Sequence, residues 1–152
     1  MPLAVHGMPV IFGNVDREGD IVVKGAFSSW IAANGDVPVK IFWMHNHRFD
    51  PTAPPIGVAH HVKQTAKGLY MEGTILDTPR GLEIQTLLKG GALTEASFGY
   101  RVNPNGAYQK KGVRHLADLE LMEFTVANWG VNSKAWIKAM PDQEESSDVD
   151  QG

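Results

Sequence analysis

Residues 93–102 read LTEASFGYRV, a stretch whose apolar side chains recur at every second position. Successive side chains of a β-strand point to opposite faces of the sheet, so this period of two predicts a strand. The alternation divides the residues between two faces, with Ala96, Phe98, Tyr100 and Val102 on one and Glu95, Ser97, Gly99 and Arg101 on the other. Ser97 therefore points away from the apolar face, where an ordinary solvent-exposed hydroxyl is the simplest interpretation unless it has a partner side chain.

Further strand patterns surround this segment. They cover residues 3–12, 21–23, 37–44, 56–64, 69–76 and 113–127. Short helices are predicted at residues 26–33 and 80–89. Thr78 can cap the second helix, Pro79 suits its first turn and Gly90 ends it. Roughly seven strands with few helices favour a sheet that closes on itself, because closure removes exposed edges. We expect a β-dominated α+β fold, an antiparallel barrel-like sheet with two or three flanking short helices.

The composition is that of one folded domain with a charged tail. The chain has 152 residues, of which 43% are hydrophobic and 20% charged, close to the average of globular proteins. The formal net charge is −3, and five of the 17 acidic residues lie in the last eleven positions, namely Asp142, Glu144, Glu145, Asp148 and Asp150. We expect a domain over residues 1–140 and an acidic, disordered tail over residues 141–152.

The composition also excludes several classes of function. With no cysteine, the chain has no disulfide, no thiolate zinc site and no cysteine nucleophile, so nucleophilic chemistry needs Ser, Thr, Lys or a carboxylate. Only Lys110-Lys111 and Arg114 approach a basic cluster, so nucleic acid is not an expected partner. Residues 1–12 lack the features of a signal peptide and no apolar run approaches about 18 residues, so we expect a soluble intracellular protein without membrane contact.

Two further residues could make Ser97 reactive. His45 follows the apolar run of residues 37–44, and the end of a buried strand would hold an imidazole rigidly enough to act as a general base. Glu123 shares a strand face with apolar neighbours, where a carboxylate is costly unless another group, such as a histidine, binds it. In an alternative that periodicity leaves open, Glu123 is half-exposed and the core face consists of Leu116, Met122, Phe124 and Val126.

The histidines also allow a competing interpretation as a metal site. His45 and His47 are two residues apart, a spacing that places imidazoles on one strand face, and His60-His61 could add ligands for zinc or iron. However, no carboxylate follows at a convincing ligand spacing, since Asp50 lies in a proline-rich loop, and adjacent His60 and His61 point to opposite faces. We therefore expect no metal and no cofactor.

Eight short regions of the chain form a recognisable series. They are residues 12–22 (FGNVD and GDIV), 24–27 (KGAF), 43–45 (WMH), 55–57 (PIG), 67–70 (KGLY), 87–93 (LLKGGAL), 97–102 (SFGYRV) and 119–126 (LELMEFTV). Their order and spacing resemble those of the prohead protease family of tailed phages, serine peptidases distantly related to the herpesvirus assemblins. The chain departs from the family pattern in two places: the stretch from His45 to Pro55 is long, and Ala127 precedes Asn128 where the family more often has a proline.

The resemblance implies roles for the residues that the strand patterns left unexplained. Ser97, in the serine-x-glycine-aromatic motif, would be the nucleophile, His45 the general base and Glu123 the acidic third member. His47 is a second candidate for the base, and we expect His45 rather than His47 to fill that role.

The resemblance also implies a substrate class and a place of action. A peptidase of this family would cleave the scaffolding protein or the scaffold domain of the major capsid protein, the portal region and itself, inside the viral procapsid in the host cytoplasm. By analogy it would form a homo-oligomer. Two alternatives stay open: a non-catalytic capsid- or scaffold-binding module that keeps the fold, and a histidine-ligated metal enzyme that is indifferent to replacement of Ser97.

Overall fold

The computed structural model describes residues 1–141. Its strands are β1 Leu3–Ile11, β2 Asp20–Val22, β3 Val39–Trp43, β4 Gly57–Gln64, β5 Gly68–Ile75, β6 Glu95–Val102, β7 Ala107–Lys110, β8 Val113–Leu116, β9 Leu119–Ala127 and β10 Trp136–Ala139. The helices are α1 Ser28–Asn34 and α2 Pro79–Lys89, and one 3₁₀ turn spans Asn46–Arg48. The domain boundary at residue 140 and the acidic tail stay predictions, because residues 142–152 lie outside the described part of the chain.

Seven strands form a curled sheet in the order β10-β1-β5-β4-β3-β9-β6. Its two edges approach each other, since the backbone N–H of Ile137 in β10 donates to the carbonyl of Thr94, just before β6, at 3.0 Å. The expected β-dominated, barrel-like sheet with short helices is confirmed. Not every pair is antiparallel, however, because β3 and β9 run parallel, which the long connection between them allows.

A second, three-stranded sheet has the order β2-β8-β7. The single strand predicted over residues 113–127 is therefore wrong: this segment forms two strands, β8 and β9, which belong to different sheets. The chain turns between them where the N–H groups of Ala117 and Asp118 both donate to the carbonyl of Gly106. The short strands β7 and β10 were not predicted. β7 has mostly exposed side chains and β10 is only four residues long, so neither shows a clear hydrophobic period.

The core lies inside the curled sheet and under the helices. Phe27, Ile41, Leu69 and Phe124 are fully buried there, and Ile84 of α2 joins them. The helix predicted over residues 80–89 is confirmed, and its capping is as expected, because the Thr78 hydroxyl accepts a hydrogen bond from the N–H of Gly81 at 2.9 Å. This packing holds in place the strands that carry the candidate site.

Candidate active site

Strand β9 lies between the two strands that carry the other candidate residues. On one side it pairs with β3, where Trp43 is opposite Val126, and His45 follows at the end of that strand. On the other side it pairs with β6, where Ser97 is opposite Thr125 and Gly99 is opposite Glu123. This order places the end of β3, Glu123 and Ser97 in one region of the sheet, although they are far apart in the chain.

The backbone around His45 is held in an unusual conformation. Both Met44 and His45 have positive φ angles, of 52° and 50°, which is uncommon for residues with a side chain. Two hydrogen bonds to β9 fix this turn: the N–H of Met44 donates to the carbonyl of Val126 at 2.9 Å, and the N–H of His45 donates to the Thr125 hydroxyl at 3.0 Å. The imidazole is therefore directed by β9 itself.

Both histidines of this turn contact the same oxygen of Glu123. Nδ1 of His45 lies 2.5 Å from Oε1, and Nε2 of His47 lies 3.3 Å from it. The His47 ring also packs against Phe42, with ring centroids 4.4 Å apart. The shorter contact belongs to His45, which lines a cavity together with Ser97, whereas His47 is not among the residues that line it.

Ser97 is buried, with only 2% of its surface exposed, so the interpretation as an ordinary solvent-exposed hydroxyl is wrong. Its face of β6 is covered by the loop that follows β9, and the N–H of Val131 in that loop donates to the Ser97 hydroxyl at 3.4 Å. The hydroxyl lines a cavity of about 290 Å³ with Glu18, His45, Arg48, Phe98, Tyr100 and Val131.

Glu123 is also 2% exposed, whereas Met122 beside it is 42% exposed. The alternative with Met122 in the core and Glu123 half-exposed is therefore wrong. Periodicity could not decide because β9 is an interior strand, covered on both faces from Glu123 onward. The second carboxylate oxygen, Oε2, is buried without a hydrogen-bond partner in the described structure.

Gly99 leaves room for the Glu123 side chain. A Cβ atom on Gly99 would lie 3.0 Å from both Cδ and Oε2 of Glu123, which is closer than side chains normally pack. We expect Gly99→Ala to displace the carboxylate, with a loss of about 1–3 kcal/mol in the free energy of unfolding and a clear loss of any activity that depends on Glu123. Thermal unfolding and activity would be measured beside Gly90→Ala, where the added Cβ meets only Thr86 O at 3.4 Å. Equal behaviour of the two variants would contradict the packing argument.

A charged pair fixes the loop that covers Ser97. The guanidinium of Arg17 donates to Glu95 Oε1 at 2.9 Å and also to the carbonyl of Gly130, and the N–H of Gly130 donates to the same Glu95 oxygen at 3.0 Å. The N–H of Arg17 donates to the carbonyl of Val131 at 2.7 Å. These bonds join three segments that are distant in sequence and set the position of the Val131 N–H.

Glu95 is held in its charged form by these contacts. Burial raises the pKa of the Glu95 carboxyl, but the hydrogen bonds from Arg17 and from the Gly130 N–H, together with the charge of Arg17, outweigh it and leave the pKa below its ordinary value. No sequence pattern had indicated a role for Arg17, Glu95 or Val131. The alternation of β6 does place Glu95 on the face of Ser97, whereas nothing local in the sequence connects it to Arg17 or to Gly130.

Three side chains of the site could hold a metal ion. The ligand atoms of His45, His47 and Glu123 all lie within 4.8 Å of one another. His60 and His61, which the metal interpretation added, do not belong to this group. No carboxylate stands near the histidines in sequence, but strand pairing brings Glu123 to them from far along the chain.

This chain is similar in sequence and in fold to known viral proteases. The sequence pattern of the caudovirus prohead serine protease family matches residues 3–149. The prohead protease of Enterobacteria phage HK97 is 26% identical over 137 residues, which cover 89% of this chain and 59% of that protein. The chain thus spans about three fifths of the length of this curated relative.

Solved structures of two viral proteases share the fold. The protease of Kaposi's sarcoma-associated herpesvirus, in complex with a hexapeptide phosphonate inhibitor, superimposes with a TM-score of 0.61 at 14% identity, over 97% of this chain and 69% of that one. The bacteriophage T4 capsid assembly protease gives a TM-score of 0.53 at 11% identity, over 84% and 81% of the two chains. Within residues 1–141, no helix is both long and apolar enough to cross a membrane. From the match over nearly its whole length, the chain belongs to the caudovirus prohead serine protease family.

Proposed function

We propose that this chain is a serine endopeptidase of prohead maturation, with Ser97 as nucleophile, His45 as general base and Glu123 as the residue that orients the base. One observation carries the proposal: His45 contacts the buried carboxylate of Glu123 at 2.5 Å and lines the same cavity as the Ser97 hydroxyl. A serine, a histidine and a buried acid in this arrangement have the roles of a serine-peptidase triad.

The positions of the protons on the three side chains are consistent with these roles. With its proton on Nδ1, His45 donates to Glu123 Oε1, and the lone pair of Nε2 is free to accept the Ser97 proton. The Ser97 oxygen then forms a bond to a peptide carbonyl carbon, and the imidazolium, stabilised by the Glu123 charge, returns the proton to the departing amine. Water hydrolyses the resulting acyl-enzyme by the same proton path.

A covalent probe tests the nucleophile and the base together. An active-site phosphonate should add one adduct to the wild-type chain on Ser97, as read by intact mass and peptide mapping, because an activated serine hydroxyl attacks phosphorus as it attacks a carbonyl. Labelling should be lost in Ser97→Ala and strongly slowed in His45→Ala. A wild-type chain that is folded but stays unlabelled would favour the non-catalytic capsid- or scaffold-binding module instead.

The cleavage rates of alanine variants distinguish His45 from His47 as the general base. We expect His45→Ala to lower the cleavage rate by about 10⁴-fold, since it removes the base. His47→Ala should lower it only about tenfold, because His47 makes one longer contact to Glu123, at 3.3 Å, and is not among the cavity residues. Initial rates on a cleavage-site peptide measure both. The reverse order of effects would assign the base to His47.

The N–H of Val131 is the proposed donor to the oxyanion that forms during the reaction. It already points at the Ser97 hydroxyl, and the oxyanion would form two bonds away from the Ser97 oxygen, on the attacked carbonyl carbon. Arg17 and Glu95 act through this loop rather than on the substrate, so they are positioning residues.

Loss of this support should appear in kcat more than in KM. We expect Arg17→Met and Glu95→Gln each to lower kcat by roughly 10–10²-fold with a smaller change in KM, because a misplaced donor weakens transition-state stabilisation. Steady-state kinetics on a cleavage-site peptide would be compared with Arg80→Met, which removes an exposed arginine of α2. If both Arg17→Met and Glu95→Gln left kcat unchanged, the position of the Val131 N–H would not matter for the reaction.

The substrates that fit this proposal are those of prohead assembly. We infer cleavage of the scaffolding protein or of the scaffold domain of the major capsid protein, together with the portal region and the chain itself, inside the procapsid in the host cytoplasm. Membership of the prohead protease family supports this substrate class. A homo-oligomer belongs to the same proposal.

A further inference from the structure

The carboxylate of Glu123 is buried without a permanent positive charge beside it. Within residues 1–141, its ion pairs involve only His45 and His47, and neither Lys nor Arg contacts it. Its Oε2 atom has no hydrogen-bond partner. A buried carboxylate is costly unless it is paired or coordinates a metal ion. Binding of a cation by Glu123 and the two histidines would therefore offset the cost of burying this carboxylate.

The three ligand atoms match the donors that a borderline transition-metal ion prefers. Zinc binds imidazole nitrogen and carboxylate oxygen at about 2.0–2.2 Å in a tetrahedral arrangement, so neighbouring ligand atoms lie roughly 3.3 Å apart. His47 Nε2 is 3.3 Å from Glu123 Oε1, and all three ligand atoms lie within 4.8 Å of one another. His45 Nδ1 now lies 2.5 Å from Glu123 Oε1, so the His45 ring would rotate outward to reach this spacing, and a fourth position would stay open.

An ion could reach this group. The side chains of His45 and His47 are 20% and 29% exposed, whereas Glu123 is closed off beneath them. The two histidines thus form the outer part of the group and the carboxylate its base.

We propose that His45, His47 and Glu123 bind a divalent ion of the zinc class and that this ion switches off the peptidase. The ion takes the lone pair of His45 Nδ1, the atom that otherwise carries the ring proton. The one proton of the neutral ring then resides on Nε2, so Nε2 has no lone pair to accept the Ser97 proton. The ion does not bind Ser97, and its removal returns the proton of His45 to Nδ1. The inhibition rests on the proposed peptidase function, whereas the binding site does not.

The binding arm of the test uses the Ser97→Ala chain, which keeps all three ligands and cannot process itself by the proposed route. Isothermal titration with Zn²⁺ and the visible spectrum of bound Co²⁺ should show one ion per chain, in four-coordinate form. His47→Gln and Glu123→Gln in this background should each weaken binding at least tenfold. His60→Gln, an exposed histidine of β4, should leave it unchanged. Unfolding curves identify a variant that fails to fold, and His47→Phe then replaces His47→Gln.

The activity arm uses the wild-type chain. Zn²⁺ should inhibit cleavage of a peptide substrate, EDTA should restore it, and Mg²⁺ should have no effect because it prefers oxygen ligands. His47→Gln should need at least tenfold more Zn²⁺ for half inhibition, relative to its own uninhibited rate. Inhibition that is unchanged by His47→Gln, or Zn²⁺ binding that is lost equally in His60→Gln, overturns the proposed site.

The two arms separate the two proposals. If the Ser97→Ala chain binds Zn²⁺ through His47 and the wild type shows no cleavage even after EDTA, the metal site stands and the peptidase proposal fails. If the wild type cleaves, and neither binding nor inhibition by Zn²⁺ is found, the peptidase stands and the metal site is overturned.

Discussion

Replacement of Ser97 by alanine should abolish processing by this chain while leaving its fold intact. The substitution removes the one atom that forms a bond to the substrate, and we expect the cleavage rate to fall by about 10⁴–10⁶-fold. The loss of a buried hydroxyl leaves only a small gap, since Ser97 sits on the regular strand β6 and accepts one long hydrogen bond from Val131. Stability should change by less than about 1 kcal/mol.

The measurement is co-expression with the neighbouring capsid and scaffolding proteins, followed by intact-mass analysis of every product. The wild-type chain should trim its partners or itself, and Ser97→Ala should leave all masses unchanged. Ser29→Ala, an exposed serine of α1, is the matched control and should behave as wild type. Cleavage by Ser97→Ala would show that Ser97 is the wrong nucleophile, and intact partners with both chains would make the non-catalytic module the leading explanation.

Local patterns predicted most of the individual strands, but they could not show which strands are neighbours. The alternation over residues 93–102 predicted β6, but burial does not alternate along this strand: Ala96, Ser97, Phe98 and Gly99 are all buried, and the register against β9 shifts after Gly99. The predicted exposure of Ser97 was wrong, because the loop that carries Val131 covers its face of the strand and no local pattern in β6 reveals the loop. Period-two alternation describes a strand and its faces, whereas burial depends on what other parts of the chain lie over them.

The same limit applies to Glu123 and the histidines. The parallel pairing of β3 with β9 is what brings His45 and His47 to Glu123, and it joins segments separated by a long connection. An antiparallel sheet was expected, and in such a sheet the end of β3 would meet a different part of β9. The resemblance to a family supplied the three residues together, and the pairing of β9 with both β3 and β6 supplies the physical reason for their proximity.

The position of Glu123 on β9, between β3 and β6, also explains why this side chain has little freedom. Gly99 on β6 lies against its carboxylate, and the two histidines at the end of β3 contact its Oε1 atom. The neighbours of β9 on both sides thus fix one side chain. A rigid acid fixes the tautomer and the direction of the imidazole, which is the contribution that a triad requires of its third member.

Glu123→Gln should therefore impair the reaction far more than the fold. The amide has the size of the carboxylate, but it carries no charge to stabilise the imidazolium, and its NH₂ group can favour the wrong tautomer of His45. We expect a loss of about 10⁴-fold in kcat. The melting temperature should stay near that of the wild type or rise, because the variant no longer buries a charge that only histidines accompany.

Glu120→Gln is the control for this change, since it alters a partly exposed glutamate of the same strand. Both variants would be compared for kcat on a cleavage-site peptide and for thermal unfolding. If Glu123→Gln lost stability in proportion to activity, Glu123 would be a structural residue of β9. If it kept full activity while Ser97→Ala had none, the base would work without an acidic partner. The loss of kcat at unchanged stability is the outcome that distinguishes a triad acid from a buried glutamate, because only the triad acid is needed more in the transition state than in the folded ground state.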